Sequence, residues 1–216
     1  MTPPRRPVHR NAERTRRRLL DTAIRLFARH GYHAVSVDEI VSAAKINKRM
    51  VYHYFGSKEA LFQAALQKVY ARIETIEFDA MQRGGTPREK LTGLIESYFE
   101  FLDKNPEFTQ LLQWENLEKG QHIDKRNHML SKDPFLQRFS QLIEDGIASG
   151  VFRKDLNIPH LLIHFIGLCF IYHSNRFSLS HSLNMDLGAT EVKAVGLKHV
   201  LGLVFDGICA TQPQTA

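Results

Sequence analysis

The sequence predicts an all-α protein with a small N-terminal helical domain followed by a larger helical one. Three observations support this fold class. Apolar residues recur at helical spacing over most of the chain, no segment alternates apolar and polar residues as a strand does, and caps or breakers separate the apolar segments. With 216 residues, of which 43% are hydrophobic, the chain can bury a sizeable core.

The first two predicted helices are defined by a core face and by a cap. The first helix ends at Gly31-Tyr32 and presents apolar residues at helical spacing, namely Leu19, Leu20, Ala23, Ile24, Leu26 and Phe27. The second begins at Ser36, because Glu39 three residues later completes a capping box. Its inward residues are Ile40, Val41 and Ala44.

A third predicted helix follows after a very short turn. Asn47 is a suitable N-cap, and Val51 and Phe55, four residues apart, share the inner side of the helix. Two helices joined so tightly form a helix-turn-helix, whose second helix can enter the major groove of DNA. The outer side carries two cations and an aromatic hydroxyl, which suit phosphate oxygens and guanine edges. These residues are Lys48, Arg49 and Tyr52.

A fourth helix starts directly after the helix-turn-helix. Ser57 is its predicted N-cap, and Lys58 lies in the first turn, where free backbone N–H groups can hold a phosphate. The alternative is a solvated helical hairpin with ordinary surface charges. The caps, the spacing and the charge placement agree with one another, which favours DNA binding.

Charge is distributed unevenly along the chain. The net charge is +6, yet residues 1–58 contain thirteen Lys/Arg against four Asp/Glu, a net charge of +9, and the remainder carries −3. A phosphate-binding surface needs such an accumulation. Residues 1–11 are predicted to form a flexible basic arm, which either touches DNA beside the main site or is merely solvated. This segment lacks the apolar stretch of a secretory signal, and the core face of helix 1 disfavours a membrane-surface helix.

The run from Ala44 to Leu61, with the helix before the turn, resembles the DNA-binding domain of the TetR family of transcriptional regulators. The resemblance covers roughly residues 12–65. It implies phosphate contacts for some residues and base contacts for others. The predicted DNA-binding residues are Ser36, Lys48, Arg49, Met50, Tyr52, His53, Tyr54 and Lys58, of which Tyr52, Tyr54 and Lys58 match phosphate-contacting positions and Lys48, Arg49 and Met50 match base-reading ones. Lys45 stands where many members have glycine, and Arg49-Met50 also departs from the common pattern.

The rest of the chain is predicted to form further helices bounded by caps and breakers. Gly84-Gly85 ends the fourth helix, and Thr86 opens the next one with Pro87 at its first position and Glu89 completing a capping box. Asn105-Pro106 opens another. The predicted helices run over 58–83, 87–104, from 106 onward, from about 134 to 150, 158–180 and 189–210.

The last two predicted helices carry more apolar residues than one subunit covers. Residues 161–172 are apolar nearly all round, and residues 192–208 show a similar excess, with Leu203 and Phe205 among them. A subunit interface is the natural use of such helices. A two-fold homodimer suits a palindromic operator, and the resembled family pairs these helices in a four-helix bundle. The alternative is a monomer whose core takes up both helices.

In the resembled family the intervening helices enclose a small-molecule site, here expected within roughly residues 87–150. Aromatic residues are dense in that region, and polar groups on nominally apolar helices can orient a ligand. The predicted ligand-binding residues are Tyr98, Phe101, Trp114, Asn116, Phe139, His164, His173 and Arg176. His164 and Arg176 are the preferred anchors because charge-capable groups are costly to bury without a partner. The expected effector is a small aromatic or anionic compound, although core packing is the better explanation for any single aromatic residue.

Catalytic and metal-binding functions find no support in the sequence. No Gly-x-Ser-x-Gly, P-loop or Gly-x-Gly-x-x-Gly motif occurs. His160 and His164 have the i, i+4 spacing of some zinc sites but lack the glutamate of His-Glu-x-x-His, so no metal and no cofactor are predicted. Cys169 and Cys209 are expected to be buried thiols in a reducing cytoplasm, and no segment is long and apolar enough to span a membrane.

Together these features predict a ligand-responsive regulator of transcription with a cytoplasmic location. Residues 12–58 would bind double-stranded operator DNA, and residues 59–212 would bind the effector and form the homodimer. A repressor that a small molecule releases from a palindromic operator is the favoured mechanism, with helix 4 as the transmitter. The alternatives are an activator or co-repressor-dependent regulator, and an architectural DNA-binding protein.

Overall fold

Residues 8–82, 84–123 and 133–210 are described in a computed structural model of the chain, and within these ranges the secondary structure is helical. The predicted all-α class is confirmed. A single antiparallel bridge between Phe152 and Cys209 is the only strand-like pairing in the described part of the chain. The helices are α1 (Val8–Ala34), α2 (Val37–Ala44), α3 (Arg49–Phe55), α4 (Lys58–Gln82), α5 (Pro87–Lys104), α6 (Pro106–Leu117), α7 (Asp133–Ala148), α8 (Ile158–Ser174), α9 (Arg176–Leu183) and α10 (Thr190–Ile208).

One predicted helix boundary is wrong. The helix predicted over 158–180 is interrupted at Asn175, whose φ of −107° and ψ of 16° are not helical. The side chains around it compete for the backbone and for one another: the Ser174 hydroxyl donates to Asn175 Oδ1 at 2.8 Å, and the Ser178 hydroxyl donates to the Asn175 carbonyl at 3.1 Å. At the N-terminus, α1 begins at Val8, and residues 1–7 lie outside the described residues, so the arm over residues 1–11 stays a prediction.

The chain divides into two units that differ from a simple cut at residue 58. The first unit contains the described residues up to Ala71 together with those from Gln110 to Ile123. The second unit contains the described residues of 72–109 and 133–210. Helices α4 and α6 therefore contribute to both units. The functional ranges 12–58 and 59–212 stay predictions.

The core of the first unit lies where α1 packs against α2 and α3. The predicted core face of α1 is confirmed for Leu19, Ala23 and Phe27, none of which retains accessible surface. The N-terminal half of α4 completes this core with Leu61 and Phe62. Fully burying such side chains stabilises the fold by roughly 1.5–3 kcal/mol each, before the entropy cost of ordering them.

The core of the second unit is built around α5, which packs against α7, α8 and α10. Aromatic rings run through it: Tyr98 meets Phe165 edge-on at 5.6 Å, and Phe165 stacks on Phe139 at 5.9 Å. The chain after α7 is tied to the end of α10, because the Arg153 N–H donates to the Ile208 carbonyl at 2.9 Å. The second unit is thus closed at its C-terminal end by backbone pairing.

The two cysteines differ in exposure. Cys169 is fully buried, and burial raises the pKa of its thiol to about 12, so this thiol is protonated and behaves as a small apolar group. Cys209 is only half-buried, and its Sγ lies 2.9 Å from an Arg88 guanidinium nitrogen. The predicted burial holds for the first thiol and not fully for the second, because the last helix ends at Ile208.

Candidate nucleic-acid interface

Helix α2 begins with the capping box that the sequence predicts. The Ser36 Oγ accepts from the Glu39 N–H at 3.1 Å, and the Ser36 N–H donates to Glu39 Oε2 at 2.7 Å. The Ser36 hydroxyl also donates to Glu39 Oε2, at 2.8 Å. The hydrogen bonds that the carboxylate accepts from the Ser36 N–H and hydroxyl hold the pKa of the Glu39 carboxyl below its usual value. Glu39 therefore stays ionised and keeps the start of the helix fixed. The Ser36 side chain, predicted to bind DNA, is engaged in this cap.

The turn between α2 and α3 holds a strained residue. Lys45 adopts a left-handed backbone with φ of 52° and ψ of 49°, and its N–H donates to the Ser42 carbonyl at 3.1 Å. The following N–H, of Ile46, donates to the Val41 carbonyl at 3.0 Å. This pattern satisfies the last carbonyls of α2 and reverses the chain. Glycine is the usual residue for such a turn, since it has no Cβ to clash.

Helix α3 presents its polar side outward, as predicted. The Asn47 side chain accepts from the Arg49 N–H at 2.9 Å, so it supplies the cap although Lys48 holds the N-cap position by backbone geometry. Val51 is fully buried, while Arg49, Tyr52 and His53 are exposed and Met50 and Tyr54 are half-buried. The exposed side is thus a cationic and aromatic surface about two turns long, sized for a DNA groove.

One of the two predicted base-reading cations is already paired. Lys48 Nζ lies 2.9 Å from Asp38 Oδ2 on α2. This hydrogen bond to Asp38 raises the pKa of Lys48, so the ammonium is kept charged. Both side chains are largely exposed, so solvent screens the pair and its contribution to stability is small. DNA can therefore replace Asp38 as the partner at little cost, whereas Arg49 makes no ion pair with the described residues.

Lys58, the last of the predicted DNA-binding residues, lies at the start of α4. Ser57 caps the helix, because its Oγ accepts from the Ala60 N–H at 3.0 Å. Lys58 is half-buried, with its Nζ 4.3 Å from the centre of the Tyr32 ring. Partial burial lowers the pKa of Lys58, while the carboxylates of Glu39 and Glu118 oppose that shift. The ammonium lies beside the first turn of α4, held by a cation–π contact.

His122, which follows α6, supports the position of Lys58 from within the first unit. The sequence did not indicate this role. The His122 ring lies 4.4 Å from the Tyr32 ring and 4.9 Å from the Phe62 ring. Its Nδ1 is 3.1 Å from Glu115 Oε2, and its backbone N–H donates to Glu115 Oε1 at 2.8 Å. Both His122 and Glu115 are buried. Lys58 therefore rests on a tyrosine that is itself backed by a buried polar pair.

A second contact fixes the C-terminal half of α6 to α1. The Trp114 indole N–H donates to the Ala28 carbonyl at 3.1 Å. Gly31 has φ of 77° and ψ of 171°, and a Cβ there would lie 3.0 Å from the Trp114 ring. Only glycine combines that backbone with so close an approach. Trp114, predicted to bind a ligand, is thus a packing residue of the first unit.

The eight predicted ligand-binding residues are divided between the two units. Trp114 and Asn116 belong to the first unit, where the Asn116 side chain donates to the Leu112 carbonyl. Tyr98, Phe101 and Phe139 are buried in the second unit. All three are aromatic residues of the core, and Tyr98 and Phe139 both contact Phe165.

The polar candidates of the second unit differ in burial. His164 and Arg176 are exposed, so their expected burial is wrong. Helix α8 buries a stripe that recurs every four residues, made of Leu161, Phe165 and Cys169, and His164 lies outside it. His173 is half-buried against Phe99 at 5.0 Å, and burial lowers its pKa to about 4. Its Nε2 has no hydrogen-bond partner among the described residues.

Comparison with known proteins decides which family this geometry represents. A family profile described as "Tetracyclin repressor-like, C-terminal domain" matches residues 87–204, more than half of the chain. Another, described as "Bacterial regulatory proteins, tetR family", matches residues 19–65, which include α2 and α3. The chain belongs to the TetR family of transcriptional regulators. TetR-family proteins regulate transcription and are not enzymes, as the sequence predicted.

Named relatives agree with this assignment. The HTH-type transcriptional repressor NicS of Pseudomonas putida is 33% identical over 198 residues, covering 91% of this chain and 93% of the relative. Among solved structures, the ketosteroid transcriptional regulator KstR2 of Mycobacterium tuberculosis has a TM-score of 0.67 at 22% identity and covers 91% of this chain and 95% of its own. A structure of AibR in complex with isovaleryl coenzyme A and operator DNA has a TM-score of 0.71 at 17% identity, with 88% and 98% covered.

Within the described ranges, no helix combines the length and the apolar character needed to cross a membrane. The same residues contain no group of three or more His, Cys, Asp or Glu side chains able to hold a metal ion. His160 and His164 are neighbours, with ring centres 6.3 Å apart, and both are exposed.

Proposed function

We propose that this regulator represses transcription as a homodimer that binds a palindromic operator and leaves it when a small molecule binds the second unit. The observation that carries the DNA-binding part is the exposed side of α3. Arg49, Tyr52 and His53 project from it, and Val51 holds its inner side in the core. Lys58 and the first turn of α4 add a phosphate contact beside it.

The homodimer is supported by the position of exposed apolar side chains. Seven of the ten large hydrophobic residues exposed among the described residues lie between Ile163 and Leu203. Leu203 is 63% and Ile163 is 61% exposed, and both line a groove of about 820 Å³ along α8 and α10. Exposed apolar patches of this kind mark protein–protein contacts. A second copy is the natural occupant, because a two-fold dimer presents two α3 helices to a palindrome.

The effector is expected to be a small aromatic or anionic compound held in the second unit. Nine aromatic side chains are buried in the core there, and His173 offers a buried ring nitrogen without a partner among the described residues. The AibR complex, with both a small ligand and operator DNA, supports the idea that this fold accommodates the two together. Ligand would favour a dimer with a different spacing of its α3 helices, so operator affinity would fall.

The DNA-binding part is tested by separating base contacts from phosphate contacts. An operator is first selected from a pool of random duplexes. Arg49→Ala should reduce discrimination at one position of each half-site by about 1–3 kcal/mol. Lys58→Ala should weaken all sequences about equally and lower the salt slope by about one unit. Fluorescence anisotropy at several salt concentrations measures both effects.

Lys154→Ala provides the matched control, because Lys154 is an exposed lysine of the second unit. It should change neither specificity nor salt slope. Selection that yields no enriched palindrome, with uniform protection of all duplexes, would instead indicate an architectural DNA-binding protein.

A further inference from the structure

A cleft on the first unit is lined mainly by arginines that the proposed operator contacts do not use. Its walls comprise one face of α1 and one residue of α2, and it encloses about 430 Å³. The lining residues are Arg14, Arg17, Arg18, Asp21, Thr22, Arg25 and Ala43. Four arginines and a single aspartate therefore line one open space.

Most of this positive charge is not neutralised within the described residues. Asp21 is engaged by Lys68, whose Nζ lies 2.6 Å from its Oδ1, and Arg17 approaches the same carboxylate only to 3.7 Å. Arg25 donates to the Thr22 hydroxyl at 3.1 Å. Arg14 and Arg18 form no ion pair with the described part of the chain.

Such an arrangement costs helix stability. Arg14, Arg17 and Arg18 are spaced i, i+3 and i+4, and like charges at these spacings repel each other along a helix. An anion in the cleft would remove that repulsion. The guanidinium fork matches the oxygens of a phosphate in geometry as well as in charge, and the cleft supplies several forks.

The cleft faces away from the helix that enters the groove. The Arg16 guanidinium lies 5.1 Å from the centre of the Phe55 ring at the end of α3, so α3 is on the Arg16 side of α1. At 3.6 residues per turn, Arg14, Arg18 and Arg25 fall on the opposite side of α1. These arginines therefore lie on a different surface from the one with which α3 would read bases.

We propose that this arginine cleft binds phosphate groups that lie outside the half-site contacted by α3. The rise from Arg14 to Arg25 is about 16 Å, at 1.5 Å per residue, which is long enough to follow several phosphates of one DNA strand. The backbone of flanking DNA is the favoured source, and a free phosphorylated small molecule is the other. The assignment of flanking DNA as the ligand rests on the proposed operator binding. The inference that the cleft binds phosphate groups does not depend on it.

The test uses the full chain and two operator duplexes. The short duplex contains the two half-sites only, and the long duplex extends each side by about one helical turn, ~10 base pairs. The variant Arg14→Ala/Arg18→Ala removes the two unpaired guanidinium groups. Arg29→Ala is the control, since it removes an exposed arginine one turn beyond Arg25 on the same helix and outside the cleft.

We expect the wild-type protein to bind the long duplex more tightly and with a steeper salt dependence than the short one. The double variant should lose that difference, with the slope on the long duplex falling by about 0.9 for each phosphate contact removed, and should bind the short duplex normally. Arg29→Ala should behave like the wild type on both. An equal loss on both duplexes, or no loss on either, would overturn the DNA assignment.

Calorimetric titration of the DNA-free protein with inorganic pyrophosphate tests whether the cleft binds a free phosphate compound rather than flanking DNA. Saturable binding that the double variant lacks, combined with equal affinity of the wild type for both duplexes, would identify a free phosphate compound as the occupant. No pyrophosphate binding and no length dependence would show an ordinary solvated face and overturn the proposal. If the wild type fails to bind even the short operator, the proposed function fails, and the pyrophosphate titration still reports on the cleft.

Discussion

The two units of this regulator leave different groups unsatisfied at their surfaces. In the first unit the polar groups that support α1 and α4 are paired, as in the buried contact between Glu115 and His122. What remains is positive charge, on α3 and in the arginine cleft. In the second unit the excess is apolar, with Ile163, Ile171, Val195 and Leu203 exposed on α8 and α10.

This difference indicates what each unit needs as a partner. Unpaired cations gain most from a polyanion, since phosphate contacts release counterions from DNA. Exposed apolar side chains gain most from another protein surface that removes them from water. The first unit is therefore suited to nucleic acid and the second to a copy of itself. Substitutions that change a property of one unit without affecting the other unit test this difference.

The largest effect is expected inside the first unit. His122→Ala removes the ring that pairs with the buried Glu115 carboxylate, which should lower the free energy of unfolding by roughly 3 kcal/mol. Urea denaturation measures the loss. The control is His33→Ala, because the His33 side chain is 73% exposed although its Nε2 lies 3.3 Å from Glu118. This change should cost less than about 1 kcal/mol. Similar costs for the two variants would mean that the buried pair contributes little.

The next largest effect is expected on dimer formation, when the apolar surface of the second unit is changed. Leu203→Asp should weaken the dimer by at least about 2 kcal/mol, roughly thirty-fold in the dissociation constant, while the subunit stays folded. Phe205→Asp should instead unfold the subunit, because Phe205 is buried with the Arg88 guanidinium 4.2 Å from its ring centre.

Sedimentation velocity and circular dichroism distinguish the two outcomes. Leu117→Asp serves as the control, since Leu117 is 73% exposed but belongs to the first unit. It should leave the dimer intact. A folded dimer for Leu203→Asp would contradict the proposed interface.

A smaller effect is expected from acidification of the second unit. Burial lowers the pKa of His173 to about 4, below its ordinary value of 6.5. Between these values the unfolded chain binds a proton that the folded chain does not, so stability falls as the pH drops from 6.5 towards 4. His173 is only half-buried, so we expect a loss of about 1–2 kcal/mol.

Unfolding measured at neutral pH and near the lower pKa tests this dependence. His173→Gln should flatten it by that amount. His164→Gln, at an exposed histidine of the same helix, should leave it unchanged. Equal pH dependence in the wild type and in both variants would assign acid sensitivity to other groups.

The smallest effect is expected at the turn of the helix-turn-helix. Lys45→Gly relieves the left-handed strain at φ of 52° and should stabilise the protein by about 0.5 kcal/mol, after the added entropy of the unfolded chain. Lys90→Gly, inside α5, should destabilise it by about 1 kcal/mol. A higher thermal midpoint for Lys45→Gly and a lower one for Lys90→Gly would confirm the strain at Lys45. A lower midpoint for both variants would show that Lys45 makes a stabilising contact.

Features that depend on neighbours a few residues apart could be predicted from the sequence alone. The capping boxes of Ser36 with Glu39 and of Thr86 with Glu89 form as predicted, because their hydrogen bonds join residues three apart. The buried side of α3 followed from the four-residue spacing of its apolar residues. The family followed from the same local patterns, since the helix-turn-helix is a continuous segment.

Which helix faces are covered depends on contacts between residues far apart in the chain. Trp114 meets Ala28 across 86 positions of the chain, and His122 meets Tyr32 across a similar separation, so no local spacing predicts either contact. Arg14 and Arg18 gather with Arg25 and Ala43 because α2 packs beside α1, while His164 and Arg176 remain exposed because no described element covers them. The physical reason is that periodicity shows that a helix has an apolar face, whereas the path of the chain determines what packs against it.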